Sequence, residues 1–356
     1  MIQHMEQSQN SNIYYDGVKL LSLLDINNEK PEIYIASSNR SAGKTTYFNR
    51  LAINKFKNGK IRKFGLLYRF KYELDGCSEK FFADIKRLFF NDDNMKSVKK
   101  AKGIYHELYL NDELCGYALA LNCADGLKKY SHLLSDVDLL LFDEYQSENN
   151  QYAINEVNKF MSIHTSLARG NGSQSRYLPV IMISNMVSIV NPYFTALGIT
   201  ERLKSDTKFL RGRGYVAEFN FNESASKAQS QSAFNKAFSE SSYYEYATTN
   251  VYLNDDYCLI EEQPTGSSRY IATYCYNGDV YAIRMYSDMG ILYVNKNVDK
   301  SCKIRIAVTS NDLSTTFILY AKNSPMYQML RYYFNAGCIR FKDLNCKSSF
   351  FKLVSM

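Results

Sequence analysis

The sequence predicts an α/β fold: a core domain on a mostly parallel sheet, then a helical connector, then a small C-terminal α+β domain. Three observations carry this expectation. Short apolar runs alternate with helical stretches up to residue 221, the pattern of a parallel sheet covered on both faces. Residues 222–243 then turn rich in Ser, Ala and Gln. From residue 251 onward short β-type runs dominate. The expected boundaries are therefore 1–221, 222–250 and 251–356, in keeping with a chain of 356 residues that is 46% hydrophobic and longer than one average domain.

The first strand is expected at residues 33–37, and Gly43-Lys44-Thr45 opens a helix running to residue 57. Residues 63–70 read as a second strand, 78–90 as an amphipathic helix, and 103–122 as a hairpin turning at Asn111-Asp112. A buried strand at 137–143, helical spacing at 150–169, another buried strand at 178–184 and a last strand at 215–221, after a turn at 211–214, complete the core. In the C-terminal part, β-type runs at 270–276, 280–286, 291–294, 304–309 and 317–320 are punctuated by Asn277-Gly278 and Met289-Gly290. A helix is expected at 325–335.

A formal charge of +7 with pI near 8.8 is a mild basic excess, compatible with a polyanionic partner and shared by many enzymes. Eight cysteines without a C-x-x-C pair, and four histidines without ligand spacing, argue against structural zinc and for reduced thiols. The polar N-terminus and the lack of any apolar run near the ~20 residues of a membrane helix predict a soluble protein that is not exported. The 30 tyrosines and 21 phenylalanines serve a core or stack on bases, and composition does not separate the two.

The chemistry is concentrated at strand ends. Asn39, Arg40, Ser41, Ala42, Gly43, Lys44, Thr45 and Thr46 form a strand-to-helix loop of the phosphate-binding type. In such a loop backbone N–H groups and the helix start hold phosphates, the lysine reaches the β and γ oxygens, and the hydroxyl of Thr45 coordinates magnesium. Ser38 stands where the strict pattern has its first glycine. About a hundred residues later, four apolar residues lead into Asp143-Glu144. Asp143 suits the magnesium shell, and Glu144 suits the polarisation of attacking water as general base. A surface G-K-T and an ordinary acidic strand end explain each motif alone; both together, in this order, fit ATP hydrolysis with Mg2+. A strand and helix over residues 63–90 precede the Asp-Glu strand, which leaves room for another strand between the two motif strands. That is the additional-strand, catalytic-glutamate (ASCE) arrangement of P-loop ATPases.

Ser184 and Asn185 end an apolar strand and either report the γ-phosphate or simply cap the turn. Arg169 and Arg176, in a Gly- and Ser-rich loop, are candidates for an arginine supplied to a neighbouring subunit, against the plain alternative of solvated side chains. Arg69 and Lys71 are candidates for contact with nucleotide or neighbour, and Tyr14 and Tyr15 for stacking on adenine. The densest basic run, residues 96–102, reads as a solvated charged loop or a phosphate contact.

These residues resemble the DNA-packaging ATPases of small tailed phages of the phi-29 type, relatives of the large terminase subunits. The resemblance is carried by Arg40 inside the phosphate loop, by the LLLFDE strand, and above all by the string Ser184-Asn185-Met186-Val187-Ser188-Ile189-Val190-Asn191-Pro192-Tyr193-Phe194. It extends from about residue 14 to the C-terminus, thinner after the connector. It implies a ring motor, a homopentamer, that uses ATP to drive double-stranded DNA through a portal into a prohead in the host cytoplasm, with a packaging RNA between ring and portal. By the same resemblance Lys44, Thr45, Asp143 and Glu144 bind and hydrolyse ATP, Arg176 rather than Arg169 acts in trans, and Lys71 works at the subunit boundary. The C-terminal domain is expected to be a vestigial RNase H-like nuclease without cleavage activity. Its expected first strand contains no acid, and Asp279 and Asp288 lie at turns. Two other readings remain: a nucleic-acid-binding scaffold with a structural nucleotide site, and a terminase with an active nuclease.

Overall fold

The structure, a computed structural model, describes residues 15–149, 151–169, 174–200, 202–203, 207–249, 259–319 and 324–354. The chain divides into two compact units, Met1–Asn254 and Asp255–Met356.

Among its described residues the first unit has nine strands. They are β1 (Ile33–Ser38), β2 (Lys63–Tyr68), β3 (Met95–Lys100), β4 (Tyr105–Leu110), β5 (Glu113–Ala120), β6 (Val137–Asp143), β7 (Val180–Asn185), β8 (Phe209–Gly212) and β9 (Tyr215–Asn220). The order across the sheet is β3-β4-β5-β2-β6-β7-β1-β9-β8. Six neighbours from β5 to β9 run parallel, while β3, β4 and β8 add antiparallel edges. Central strands are near-continuous apolar runs because both faces are covered, which is why β6 reads VDLLLFD and β7 VIMISN. The helices are α1 (Val18–Ser22), α2 (Lys44–Lys57), α3 (Lys71–Phe89), α4 (Ala124–Leu127), α5 (Glu156–Leu167), α6 (Pro192–Ala196), α7 (Glu223–Gln231), α8 (Ala233–Ala237) and α9 (Ser242–Thr248). One core, with Leu140, Phe142, Phe160 and Phe194, lies on one face of the sheet; a second, with Phe48, Ile53, Leu141 and Ile183, lies on the other.

Four expectations about the first unit are corrected. The basic run is no loop but edge strand β3 and the turn after it, and Lys96, Lys99 and Lys100 pair with Asp112, Asp75 and Glu107 at 2.6, 2.9 and 3.1 Å. The turn expected at 211–214 is confined to residues 213–214, because Arg211 and Gly212 belong to β8, antiparallel to β9. Helix α3 starts at Lys71 rather than 78, because the Glu73 carboxylate accepts from the backbone N–H groups of Arg69 and Phe70. Helix α5 starts at Glu156 rather than 150, after Asn155 in a left-handed conformation (φ 53°).

The second unit has a five-stranded sheet ordered β13-β10-β11-β12-β14, from β10 (Arg269–Tyr276), β11 (Asp279–Tyr286), β12 (Ile291–Asn295), β13 (Arg305–Ala307) and β14 (Ile339–Phe341). The first three form an antiparallel meander, with β13 parallel to β10 and β14 parallel to β12. Helices α10 (Pro325–Asn335) and α11 (Leu344–Val354) contribute Leu330, Phe350 and Leu353 to its core. This α+β arrangement agrees with the expected class. The run expected at 317–320 contributes only an isolated bridge, Ile318 to Ile306; Tyr320 lies outside the described residues. The helical connector, 223–248, falls in the first unit.

Close strand packing gives a stability prediction. Gly116 pairs with Phe64 across β5 and β2, and a Cβ there would lie 2.4 Å from the Phe64 carbonyl oxygen. Gly116→Ala is expected to destabilise the protein by about 1–3 kcal/mol or more, read as a lower denaturant midpoint at unchanged slope.

Candidate nucleotide-binding site

Strand β1 ends at Ser38 and α2 begins at Lys44, so the five residues between them form the loop. Gly43 takes φ 92° immediately before the helix and Ser41 takes φ 62°, so the tight return to α2 depends on a glycine at 43. Ser38 is still in the strand, extended, and needs no glycine. Its hydroxyl accepts from Lys44 Nζ at 2.6 Å, and Lys44 also donates to the carbonyl of Asn39 at 3.2 Å and to Asn185 Oδ1 at 3.4 Å. The first turn of α2 carries no acid and no side-chain cap, which leaves its N–H groups and its positive dipole end available to an anion.

The acidic pair sits two strands away, because a strand lies between the two motif strands as expected, and that strand is β7. Asp143 ends β6 and is hydrogen-bonded to the hydroxyl of Thr45. Burial pushes its carboxyl up to about 6, against the Thr45 hydrogen bond and the charge of Lys44. Burial likewise draws the Lys44 ammonium down to about 8, while Asp143 and Glu218 oppose that shift. Glu144 is exposed and takes φ 54°, a conformation costly for a residue with a side chain. The structure shows what holds it. Arg69 donates to the carbonyls of Glu144 and Tyr145 at 3.2 and 2.7 Å, and its Nε binds the buried Glu156 carboxylate at 2.9 Å.

Ser184 and Asn185 fall beside Ser37 and Ser38 in the β1–β7 register. Asn185 touches Lys44, whereas the buried Ser184 hydroxyl turns to the carbonyl of Asn185. The string after β7 has structural work. Asn191 caps α6 through the N–H of Phe194, Pro192 occupies its first turn, and the Tyr193 hydroxyl donates to Glu156 at 2.9 Å.

Several partners escaped the sequence reading. Tyr145 and Ser37 hydroxyls meet at 2.8 Å, and Gln146 accepts from the N–H groups of Val187 and Ser188 at 3.2 and 2.8 Å, so the acid end is tied to β1 and to the segment after β7. The connector grips the loop: Asn39 and Asn222 exchange hydrogen bonds at 3.0 and 2.8 Å, Gln229 donates to Ser41 at 3.0 Å, and Arg40 binds Glu148 at 2.8 Å and the Tyr243 hydroxyl. No local pattern marks Glu148, Glu156, Gln146 or Asn222, whose partners lie dozens of residues away.

Other expected site residues are elsewhere. Arg176 lies at the start of β6, bound to Asp138 at 3.3 Å and to the carbonyls of Ser135, Val137 and Leu167, at the opposite end of that strand from Asp143. Arg169 is exposed after α5, with no ion-pair partner among the described residues, and lies with Lys128 and His132 along a separate polar cavity. Lys71 is exposed and donates to the carbonyl of Lys102 at 3.0 Å. Tyr15 borders the loop but is buried, its hydroxyl donating to Glu218 at 2.6 Å; Tyr14 lies outside the described residues.

Loop and acids share a cavity of about 740 Å³ that also takes in Thr46, Tyr47, Arg50 and Phe89. The residues fit a magnesium nucleotide. Thr45 and Asp143 supply a hydroxyl and a carboxylate, the hard oxygen donors Mg2+ prefers. Lys44 and an acid-free helix start supply the phosphate cradle.

A parallel sheet with one strand between a lysine–threonine loop and an Asp-Glu strand end defines a P-loop protein of the additional-strand class. The chain belongs to the Podovirus DNA encapsidation protein (Gp16) family, whose model matches residues 9–355. It is 26% identical over 336 residues to the DNA packaging protein of Bacillus phage PZA, covering 93% of this chain and 94% of that one. The DNA packaging protein of Bacillus phage phi29 is 25% identical over 336 residues, with the same coverage. In fold it is similar to a chain of the bacteriophage Phi-29 viral genome packaging motor assembly, with TM-score 0.68 and 22% identity over 96% of this chain and 99% of that one. It is also similar to the Phi-28 gp11 DNA packaging motor, with TM-score 0.61 and 17% identity over 97% and 99% of the two chains.

The lowered Lys44 ammonium sets a pH limit. Above about pH 8 the free site loses this proton, which phosphate binding requires, so nucleotide affinity is expected to fall progressively as pH rises beyond 8. A fluorescent-nucleotide titration from pH 7 to 9.5 checks this; Lys44→Arg, charged throughout the range, should flatten the decline.

Proposed function

We propose that this protein is the ATP-driven motor of phage genome packaging, moving double-stranded DNA through a portal into a prohead in the host cytoplasm. Family membership over residues 9–355 supports the packaging role. The observation that carries the ATPase assignment is Glu144, exposed and held by Arg69 beside the bonded pair of Thr45 and Asp143.

In this reading the start of α2 and Lys44 bind the β and γ phosphates, and Thr45 and Asp143 hold Mg2+, directly or through water. The metal supplies electrostatic stabilisation of the charge that develops on the transferred group. Glu144 orients a water for in-line attack and takes its proton. Asn185, in contact with Lys44, registers departure of the γ-phosphate.

A homopentameric ring, with a packaging RNA between ring and portal, follows the resemblance to phi-29-type motors. Of the two arginines, Arg169 is the one with a guanidinium free to reach a neighbouring subunit, since Arg176 is bound within its own chain. Lys71, exposed on α3, is the second boundary residue. The second unit acts as a nuclease-like domain without cleavage. Among its described residues no three acids, histidines or cysteines gather to hold a metal, and Asp312 is spent on the N–H groups of Gly278 and Thr309 at 3.2 and 3.1 Å.

Glu144→Gln is expected to lower magnesium-dependent hydrolysis at least 100-fold while nucleotide still binds, measured by phosphate release and equilibrium binding. Full turnover in that variant would remove Glu144 as the base, whereas a wild type that binds nucleotide without hydrolysing it would favour a scaffold with a structural nucleotide site. Mixing Lys44→Ala with Arg169→Ala subunits should restore part of the hydrolysis that each lacks alone. Rescue with Arg176→Ala subunits but not with Arg169→Ala would reverse the choice between the two arginines.

A further inference from the structure

Past the phosphate loop the cavity continues along α2 to Arg50 and across to Leu88 and Phe89 at the end of α3. Arg50 lies six residues beyond Lys44 on one helix, about 9 Å further along its axis at 1.5 Å per residue. That separation is within the length of an extended nucleotide. Two large apolar side chains are exposed at this place, Leu88 at 58% and Phe89 at 40%, on the last turn of the helix. Exposed apolar surface lining the cavity that holds the phosphate loop is surface a ligand can cover.

We propose that the nucleobase of the bound nucleoside triphosphate stacks on a platform formed by Arg50 and Phe89, with Leu88 at its edge. The inference rests on the nucleotide-binding reading given above and specifies how the other end of the nucleotide is held. The Arg50 guanidinium carbon lies 4.3 Å from the centroid of the Phe89 ring, so the pair forms a preassembled cation–π unit. Arg50 has no carboxylate partner among the described residues, which leaves its plane and its donors to a ligand. Phe89 meets its neighbour Phe90 only edge-on, at 6.4 Å between centroids.

Tyr15, the other aromatic candidate, is already occupied. Its ring packs against Tyr47 and Phe48 at 5.7 and 5.5 Å, it is 5% exposed, and its hydroxyl is bound to Glu218. A stacking platform reads a π face rather than a hydrogen-bonding edge. It therefore separates nucleotides from inorganic phosphates strongly and adenine from guanine weakly.

The test compares two probes, magnesium ATP and magnesium tripolyphosphate, binding to the full chain in calorimetric titrations. The wild type is expected to bind ATP at least tenfold more tightly than tripolyphosphate. Phe89→Ala should weaken ATP about tenfold and leave tripolyphosphate unchanged, with Phe89→Trp restoring ATP affinity. Arg50→Ala, at an exposed position, gives the same readout should Phe89→Ala not fold. Unchanged ATP affinity in both alanine variants would overturn the platform, as would an equal loss for both probes or a wild type that binds the two probes equally. A wild type that binds neither probe would overturn the nucleotide reading itself, an outcome distinct from failure of the platform.

Discussion

The acid end of the site depends on one buried ion pair. Arg69 leaves the end of β2, crosses beneath the turn after β6 and reaches Glu156 at the start of α5, with both side chains almost completely withdrawn from solvent. Two charges so placed are expensive unless every lone pair and N–H is answered. Here they are answered by the Glu144 and Tyr145 carbonyls, the Ala153 N–H and the Tyr193 hydroxyl. The same atoms that make the pair tolerable therefore hold Glu144 in a left-handed conformation it would not adopt on its own. The geometry at Glu144 and the burial of charge are one constraint.

This explains why the string after β7 is so distinctive. Asn191, Pro192 and Tyr193 serve a cap, a helix start and a hydrogen bond to Glu156. Their first service is to the geometry of Asp143-Glu144, even though they lie some fifty residues further along the chain. A sequence string that looks like a signature of function is here a signature of the support beneath it.

The central sheet and its phosphate loop were legible because backbone chemistry leaves few options. Gly43 must return the chain at positive φ, Lys44 and Thr45 must open a helix, and strands covered on both faces must be apolar throughout. That a strand lies between the two motif strands followed from the strand and helix over residues 63–90; that it is β7 is set by the sheet order. Edge strands were harder. In β3 the lysines are neutralised by Asp75, Glu107 and Asp112, none adjacent in sequence, so a strand read as a charged loop. Residue type alone likewise did not show the surroundings of Arg176, whose carbonyl partners and Asp138 are a tertiary fact. Gln146, Glu148 and Glu156 were invisible for the same reason.

The grip of the connector on the phosphate loop has a mechanical consequence. Three successive loop residues, Asn39, Arg40 and Ser41, are each fastened to the segment from Asn222 to Tyr243 by contacts near 3 Å or shorter. Hydrogen bonds of this kind fail once stretched by much more than half an ångström. The loop and these helices thus act as a short-throw clutch: any displacement of the loop beyond that range must either drag the connector along or disengage it.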